Sequence, residues 1–465
     1  MTLLPVHCAL LACTAALVNH HVPDPYMDEI FHIPQAQRYC SNDFATWDPK
    51  LTTPPGLHGI KEWKEREHIL NFVIDYYRYL ISRLFSLCNT TVNLRIINLV
   101  FAICLYPVIR RLVQLHHPQT HRWTQHAFTL ALVWFPVGFF YNFVYYTDPG
   151  STLFVLLCYL LAKENRYTLA GLSGLISLTF RQTNVIWVCV TMVISMMDVI
   201  SFQDQPLVSL WSQQQPSIAL LNVIRQLIVQ TLQQYPLWIK KLYMFLLTIM
   251  GFAAFLVWNN GIVLGDRSNH IAGLHFPQLF YFSSFLSFFA APWLLTSENV
   301  RSFFSRPSWK GIFTSLILAA NMYYLIDHYT YEHPFLLSDN RHYTFYVWKK
   351  IYRRHWSIRY LLIPFYIISG WFNLRPLVHH TGFLVCLGYL LALVLTLVPS
   401  PLLEFRYFII PFLFYCIQLG PPQRIERTWM VVFTYTLIHI ITIYLYLYKP
   451  FEWIHEPGPL QRFMW

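Results

Sequence analysis

Apolar runs of membrane-spanning length recur along the whole chain, near 3–19, 92–110, 125–143, 150–163, 167–180, 184–200, 239–258, 277–297, 311–327, 358–372, 380–398, 405–420 and 428–448. A helix needs about twenty apolar residues to cross the hydrocarbon core, where every backbone group must bond within its own segment. The runs are continuous and do not alternate, which argues against a closed β-barrel. The expected fold is an all-α polytopic membrane protein with about thirteen transmembrane helices, as a single membrane domain over 1–465. Composition agrees: 12% of the 465 residues are charged and the mean hydropathy is +0.39, whereas soluble domains carry roughly a quarter charged residues.

The net charge of +11 comes from short Lys and Arg clusters between the runs. There they can set topology, so the charge does not point to nucleic acid. Cys104, Cys158, Cys189, Cys386 and Cys416 sit inside apolar runs without metal-ligand spacing, which reads as helix packing. Cys40 and Cys88 share one long polar loop, where a disulfide and two free thiols are both open. The first run, Leu3–Val18, lacks a basic n-region and is expected to remain as an uncleaved span. The stretch Ile69–Cys88 carries Asp75, Arg78 and Arg83, which suits a helix lying along the interface.

With the first loop placed outside the cytosol, the connections fall into two sets. One holds Arg110, Arg111, Arg122, Lys163, Arg166, the Gln-rich 201–238, Arg301, Arg306, Lys310, Arg424 and Arg427, as expected of the cytosolic side. The other gathers the unusual polar motifs: 19–91, Tyr145–Thr152, Asn259–His275, 328–357 and Val398–Tyr407. Segment 328–357 carries Arg341, Lys349, Lys350, Arg353 and Arg354 on the side that should be poor in cations. Either the sidedness shifts there or those cations meet an anionic partner.

In "DPYMDEIFHIPQAQRYC" (Asp24–Cys40) the chain leaves the first span through Pro23 and Pro25 and enters a short helix that Pro34 is expected to close. Asp28 and His32 are an i, i+4 pair, and Asp28 in the first turn suits the helix dipole. The plainer reading is a solvated cap. The functional one is a general base at the bilayer surface, with Glu29 beside it and the aromatic, Pro-rich Trp47–His58 following. "LGDRSNH" offers Asp266, Arg267 and His270, "DNRHYTFYVWK" offers Arg341, His342 and Tyr343, and "LLEFRYF" offers Glu404 and Arg406. Each is either an interfacial turn whose Arg snorkels to headgroups or a phosphate-binding Arg with a neighbouring His. Arg181 in "FRQTN" must pair or face water. There is no dinucleotide fingerprint, P-loop, acidic nucleotide-sugar triplet or zinc spacing, so no cofactor and no metal are expected.

Taken in order, "PYMDEIFHIPQAQRYC", "WDPKLTTPPGL", "FRQTN", "NNGIVLGDRSNH", "LHFPQLFYF", "DNRHYTFYVWK", "LLEFRYFIIP" and "QRFMW" resemble the eukaryotic dolichyl-phosphate-glucose α-1,2-glucosyltransferase family, from Pro25 to Trp465. The resemblance implies a GT-C type glycosyltransferase of the endoplasmic reticulum membrane with a luminal active site. The donor would be dolichyl phosphate glucose and the acceptor the diglucosylated dolichyl-diphosphate oligosaccharide, both presented from membrane lipid. A β-linked donor and an α-linked product imply inversion with a single base, which falls on Asp28 or Glu29. His32, Trp47, Asp266, Arg267, His270, Arg341, His342, Tyr343 and Arg406 would bind the sugars and the lipid phosphate. Asp148 has no place in the family pattern. The rival readings are a lipid-linked sugar transporter or flippase and a non-catalytic membrane subunit, neither of which needs Asp28. The paired broken helices and midplane ionisable residues usual in secondary transporters are missing from the pattern.

Overall fold

The computed structural model describes residues 2–41, 43, 46, 48, 50–51, 90–202, 205–206, 225, 228–264, 272–305, 308–381 and 383–465. Trp47, Ile69–Cys88, Asp266, Arg267 and His270 lie outside the described residues. The longer helices are α1 Leu4–His21, α2 Glu29–Cys40, α3 Thr91–His116, α4 Arg122–Val133, α5 Asp148–Lys163, α6 Tyr167–Phe180, α7 Val185–Val199, α8 Tyr235–Asn259, α9 Pro277–Phe289, α10 Trp309–Tyr329, α11 Ile363–Thr381, α12 Phe383–Leu397, α13 Ile409–Leu419 and α14 Ile425–Tyr448. Each apolar run of the sequence is thus largely helical. Strands among the described residues are confined to two short hairpins, Ser201–Phe202 with Gln205–Pro206 and Phe451–Trp453 with Glu456–Gln461.

By length and composition, five described stretches can cross a membrane: Thr91–His116, Gln182–Val199, Tyr235–Asn259, Ile358–Thr381 and Ile425–Tyr448. A sixth is the pair Arg122–Val133 and Pro136–Phe143, bent by 65°. The expected thirteen is not reached by this measure, because prolines and turns divide several runs into shorter pieces. The run 277–297 becomes Pro277–Phe289 and Ala291–Leu294, and 405–420 becomes the 3-10 turn Phe405–Phe408 followed by α13.

The bend positions the site. A residue before proline is driven out of the helical region, and Phe135 before Pro136 sits at φ −53°, ψ 120°. The chain re-enters as Pro136–Phe140 and the 3-10 turn Tyr141–Phe143, and everything from Val137 to Phe143 except Gly138 is buried. This segment packs into the main core with α1, α3, α4, α5, α9, α13 and α14, where the Phe135 and Phe412 rings stack at 4.1 Å. α5 and α6 meet closely because Gly150 has no side chain: a Cβ there would lie 2.2 Å from the Phe180 ring. Arg181 follows at that junction.

Helix α2 does not stop at Pro34 but runs on to Cys40. The proline ring sacrifices one helical bond, and tertiary ties carry the second half. Gln35 donates to the Thr46 carbonyl at 2.7 Å and accepts from the Asp48 amide at 3.0 Å, and Cys40 is disulfide-bonded. Its suggested partner, Cys88, lies outside the described residues.

Candidate active site

Helix α1 ends at His21, and the chain turns through Pro23 and Pro25 to Met27, whose φ of 56° is left-handed. A non-glycine residue holds that conformation at a cost of about 1–2 kcal/mol, so neighbours must over-determine it. They do so through Glu29. Its side chain is fully buried and accepts from the Tyr26 amide at 3.0 Å, the Tyr145 amide at 2.5 Å, and Arg95 through Nε at 2.8 Å and Nη2 at 2.5 Å. Arg95 spends its other donors on Asn19, Val22 and Asp24. Glu29 therefore has no lone pair left for substrate and braces the turn.

Asp28, one residue earlier, is turned the other way. Its carboxylate is 39% exposed and accepts from Arg406 Nη1 at 3.1 Å. Its amide donates to the Tyr146 hydroxyl at 3.2 Å. Arg406 also grips Glu404 with both Nε and Nη2. Its guanidinium lies 5.8 Å from the ring centres of both Tyr146 and Tyr407. Burial alone would raise the Glu404 carboxyl, but the Arg406 charge outweighs it and holds it below the ordinary carboxylate range. Burial, with the Asp28 charge adding to it, pushes the Tyr146 phenol well above its usual range, so that it stays protonated. His32 stands one helical turn from Asp28, its ring 6.5 Å from Tyr146.

Beside this group, Arg181 pairs with Asp148 at 2.9 Å and lies 5.4 Å from the Tyr407 ring. Asp28, Glu404, Arg406 and Tyr146 therefore gather around one partly exposed carboxylate, that of Asp28, which Arg406 holds through Oδ2. That arrangement can accept a proton from a hydroxyl brought to Asp28. Among the described residues, no three His, Cys, Asp or Glu side chains gather as a metal site.

The chain matches the family described as DIE2/ALG10 over residues 22–417. The Mus musculus protein named Dol-P-Glc:Glc(2)Man(9)GlcNAc(2)-PP-Dol alpha-1,2-glucosyltransferase is 37% identical over 462 residues, covering 95% of this chain and 93% of its own length. The chain belongs to the DIE2/ALG10 family. A Homo sapiens protein of the same name is 37% identical over 469 residues, with 95% and 93% coverage. An Arabidopsis thaliana one is 31% identical over 501 residues, with 97% and 96% coverage. No solved structure matches the chain. The family suggested by the ordered motifs is confirmed.

On this DIE2/ALG10 member the remaining suggested site residues fall into place unevenly. Arg341 is largely spent: it holds Asp339 through Nε at 2.8 Å and Nη2 at 2.7 Å, reaches Gln461 at 3.1 Å, and lies 4.7 Å from the Trp453 ring centre. Burial would raise Asp339, but the Arg341 hydrogen bonds hold it below its ordinary range. His342 places Nδ1 2.8 Å from the Trp465 main-chain oxygen and Nε2 4.0 Å from Asp339. Tyr343 packs its ring 5.1 Å from Trp465. Trp47, Asp266, Arg267 and His270 are outside the described residues. Sequence reasoning missed Tyr146 and Arg95. The latter had a signal, a cation inside the apolar run 92–110 and away from the Arg110–Arg111 pair at its end, where a charge must find a partner.

Proposed function

We propose that this chain moves glucose from dolichyl phosphate glucose onto the terminal glucose of the Glc(2)Man(9)GlcNAc(2)-diphosphate-dolichol acceptor in α-1,2 linkage, at the luminal face of the endoplasmic reticulum membrane. The names of relatives covering nearly the whole chain support donor, acceptor and linkage. The observation that carries the mechanism is the contrast between neighbours: Glu29 is sealed in by Arg95 and two amides, and Asp28 keeps a half-open carboxylate aimed by Arg406.

In the reaction, the acceptor's 2-hydroxyl oxygen attacks the donor's anomeric carbon while Asp28 takes its proton. The bond from that carbon to the phosphate oxygen breaks, and dolichyl phosphate leaves with the electron pair. His342 and Arg406 would supply the groups that stabilise that leaving charge. His32 orients a sugar hydroxyl or the base. Glu29 is the positioning residue beneath Asp28.

The test measures glucose transfer by purified protein beside Asp28→Asn. Removing a general base lowers rates by roughly 10²–10⁴-fold, and a loss of that size in a folded variant is expected. Full transfer by Asp28→Asn would move the base elsewhere. No transfer by well-folded wild type would favour the transporter or subunit reading.

A further inference from the structure

Gln461 closes the last hairpin, and Arg462–Trp465 continue from it across the site. Arg462 is nearly buried, and its guanidinium donates to the Tyr446 and Leu447 carbonyls at 2.8 and 3.0 Å and to the His21 carbonyl at 3.4 Å. It thus caps the C-termini of α14 and α1 together, where cations are favoured. The main chain of Arg462 is clasped by Tyr26, whose hydroxyl accepts from its amide at 2.7 Å and donates to its carbonyl at 2.9 Å. Tyr26 stands two residues before Asp28.

Met464 then pairs like a strand with the 341–343 segment. The Met464 amide donates to the Arg341 carbonyl at 2.9 Å, and the Tyr343 amide donates to the Met464 carbonyl at 3.1 Å. The main-chain oxygen of Trp465 takes two donors, the Tyr141 hydroxyl at 2.7 Å and His342 Nδ1 at 2.8 Å. The indole ring lies between Tyr343, Phe405 and Phe289, with centres 5.1, 6.0 and 6.1 Å away. Phe405 is flanked by Glu404 and Arg406. Tyr141 lies 5.2 Å from Tyr146, which receives the Asp28 amide. Five residues therefore touch the turn before Asp28, the 341–343 segment, Tyr141 and Phe405.

The consequence for His342 follows from chemistry. A carbonyl oxygen only accepts, so Nδ1 must carry the proton. The strap thereby takes up Nδ1 and leaves Nε2 as the free ring nitrogen, 4.0 Å from Asp339. We propose that Gln461–Trp465 is a positioning strap of the active site that fixes the tautomer and direction of His342, so that Nε2 is the nitrogen that meets the glucosyl donor. The inference rests on the transferase reading above.

The experiment uses the full chain in lipid nanodiscs and compares wild type, deletion of Met464 and Trp465, His342→Ala, and the two combined. If the strap acts through His342, the deletion lowers kcat by roughly tenfold with the unfolding temperature nearly kept, and adds less than about twofold in the His342→Ala background. His342→Asn, which keeps a donor near the Nδ1 position, should retain sensitivity to the deletion. Should the deletion not fold, Trp465→Gly keeps the main chain and removes the ring that wedges it. Its loss should be smaller and again disappear in His342→Ala. Wild-type transfer with additive losses, or with no loss on deletion, overturns the strap and leaves the transferase intact. Absence of transfer by wild type removes both.

Discussion

A helix turns by about 100° per residue, so Asp28 and Glu29 cannot face the same surroundings. Nothing in the string "MDE" says which of them faces in. The answer depends on Arg95, sixty-six positions away, and on Arg406, which reaches Asp28 across 378 positions. Such pairings become visible only when the helix ends have been brought together. The buried Arg95–Glu29 pair yields a prediction of its own. Removing one partner of a sealed ion pair costs about 3–5 kcal/mol, because the other is left uncompensated. Arg95→Met should therefore lower the unfolding temperature in detergent sharply, and adding Glu29→Gln should recover part of that loss. A small effect of Arg95→Met alone would mean that Glu29 is not sealed and return it to the catalytic shortlist.

At the scale of elements, the apolar runs translate almost directly into helices, since a backbone in hydrocarbon has few other ways to satisfy its bonds. What the runs conceal is where they break. Pro136 bends one span by 65° and so delivers Tyr141–Asp148 to the site, whereas Pro34 interrupts nothing, because Gln35 and the Cys40 disulfide hold the helix beyond it. The same residue type has opposite outcomes according to its tertiary ties. Close approach is equally specific at Gly150, where a methyl group would overlap the Phe180 ring. Gly150→Ala should destabilise the protein by about 1–3 kcal/mol through overpacking. It should also reduce transfer, because Arg181 and Asp148 sit on the two elements forced apart. Combining it with Phe180→Leu should restore thermal stability. If Gly150→Ala alone melts like wild type, the α5–α6 contact is looser than its geometry indicates.

Among the described residues, two groups of contacts lie at the two ends of α14. Near one end lie the turn 22–28, the start of α3, residues 141–148, 398–406 and the terminal strap. Toward the opposite end, Arg111 pairs with Glu164 at 2.7 Å, Lys163 with Asp198 at 2.7 Å, and Arg427 holds the Pro292 and Leu295 carbonyls at 2.8 and 3.0 Å. Helix α14 connects them, starting beside Arg424 and ending where Arg462 caps it. Its 24 residues rise about 36 Å at 1.5 Å each, enough to cross the hydrocarbon core. The cations of 347–354 follow directly on Arg341–Tyr343, which the strap ties to the site. Lys349, Lys350, Arg353 and Arg354 are exposed there, and the buried Trp348 and Tyr352 anchor the turn that carries them. In sealed microsomes, a membrane-impermeant thiol reagent should label Arg424→Cys from outside, the cytosolic side. Lys350→Cys should react only after the membrane is opened. Equal labelling of both before opening would put the basic turn and the site on the cytosolic side, against the luminal placement proposed above.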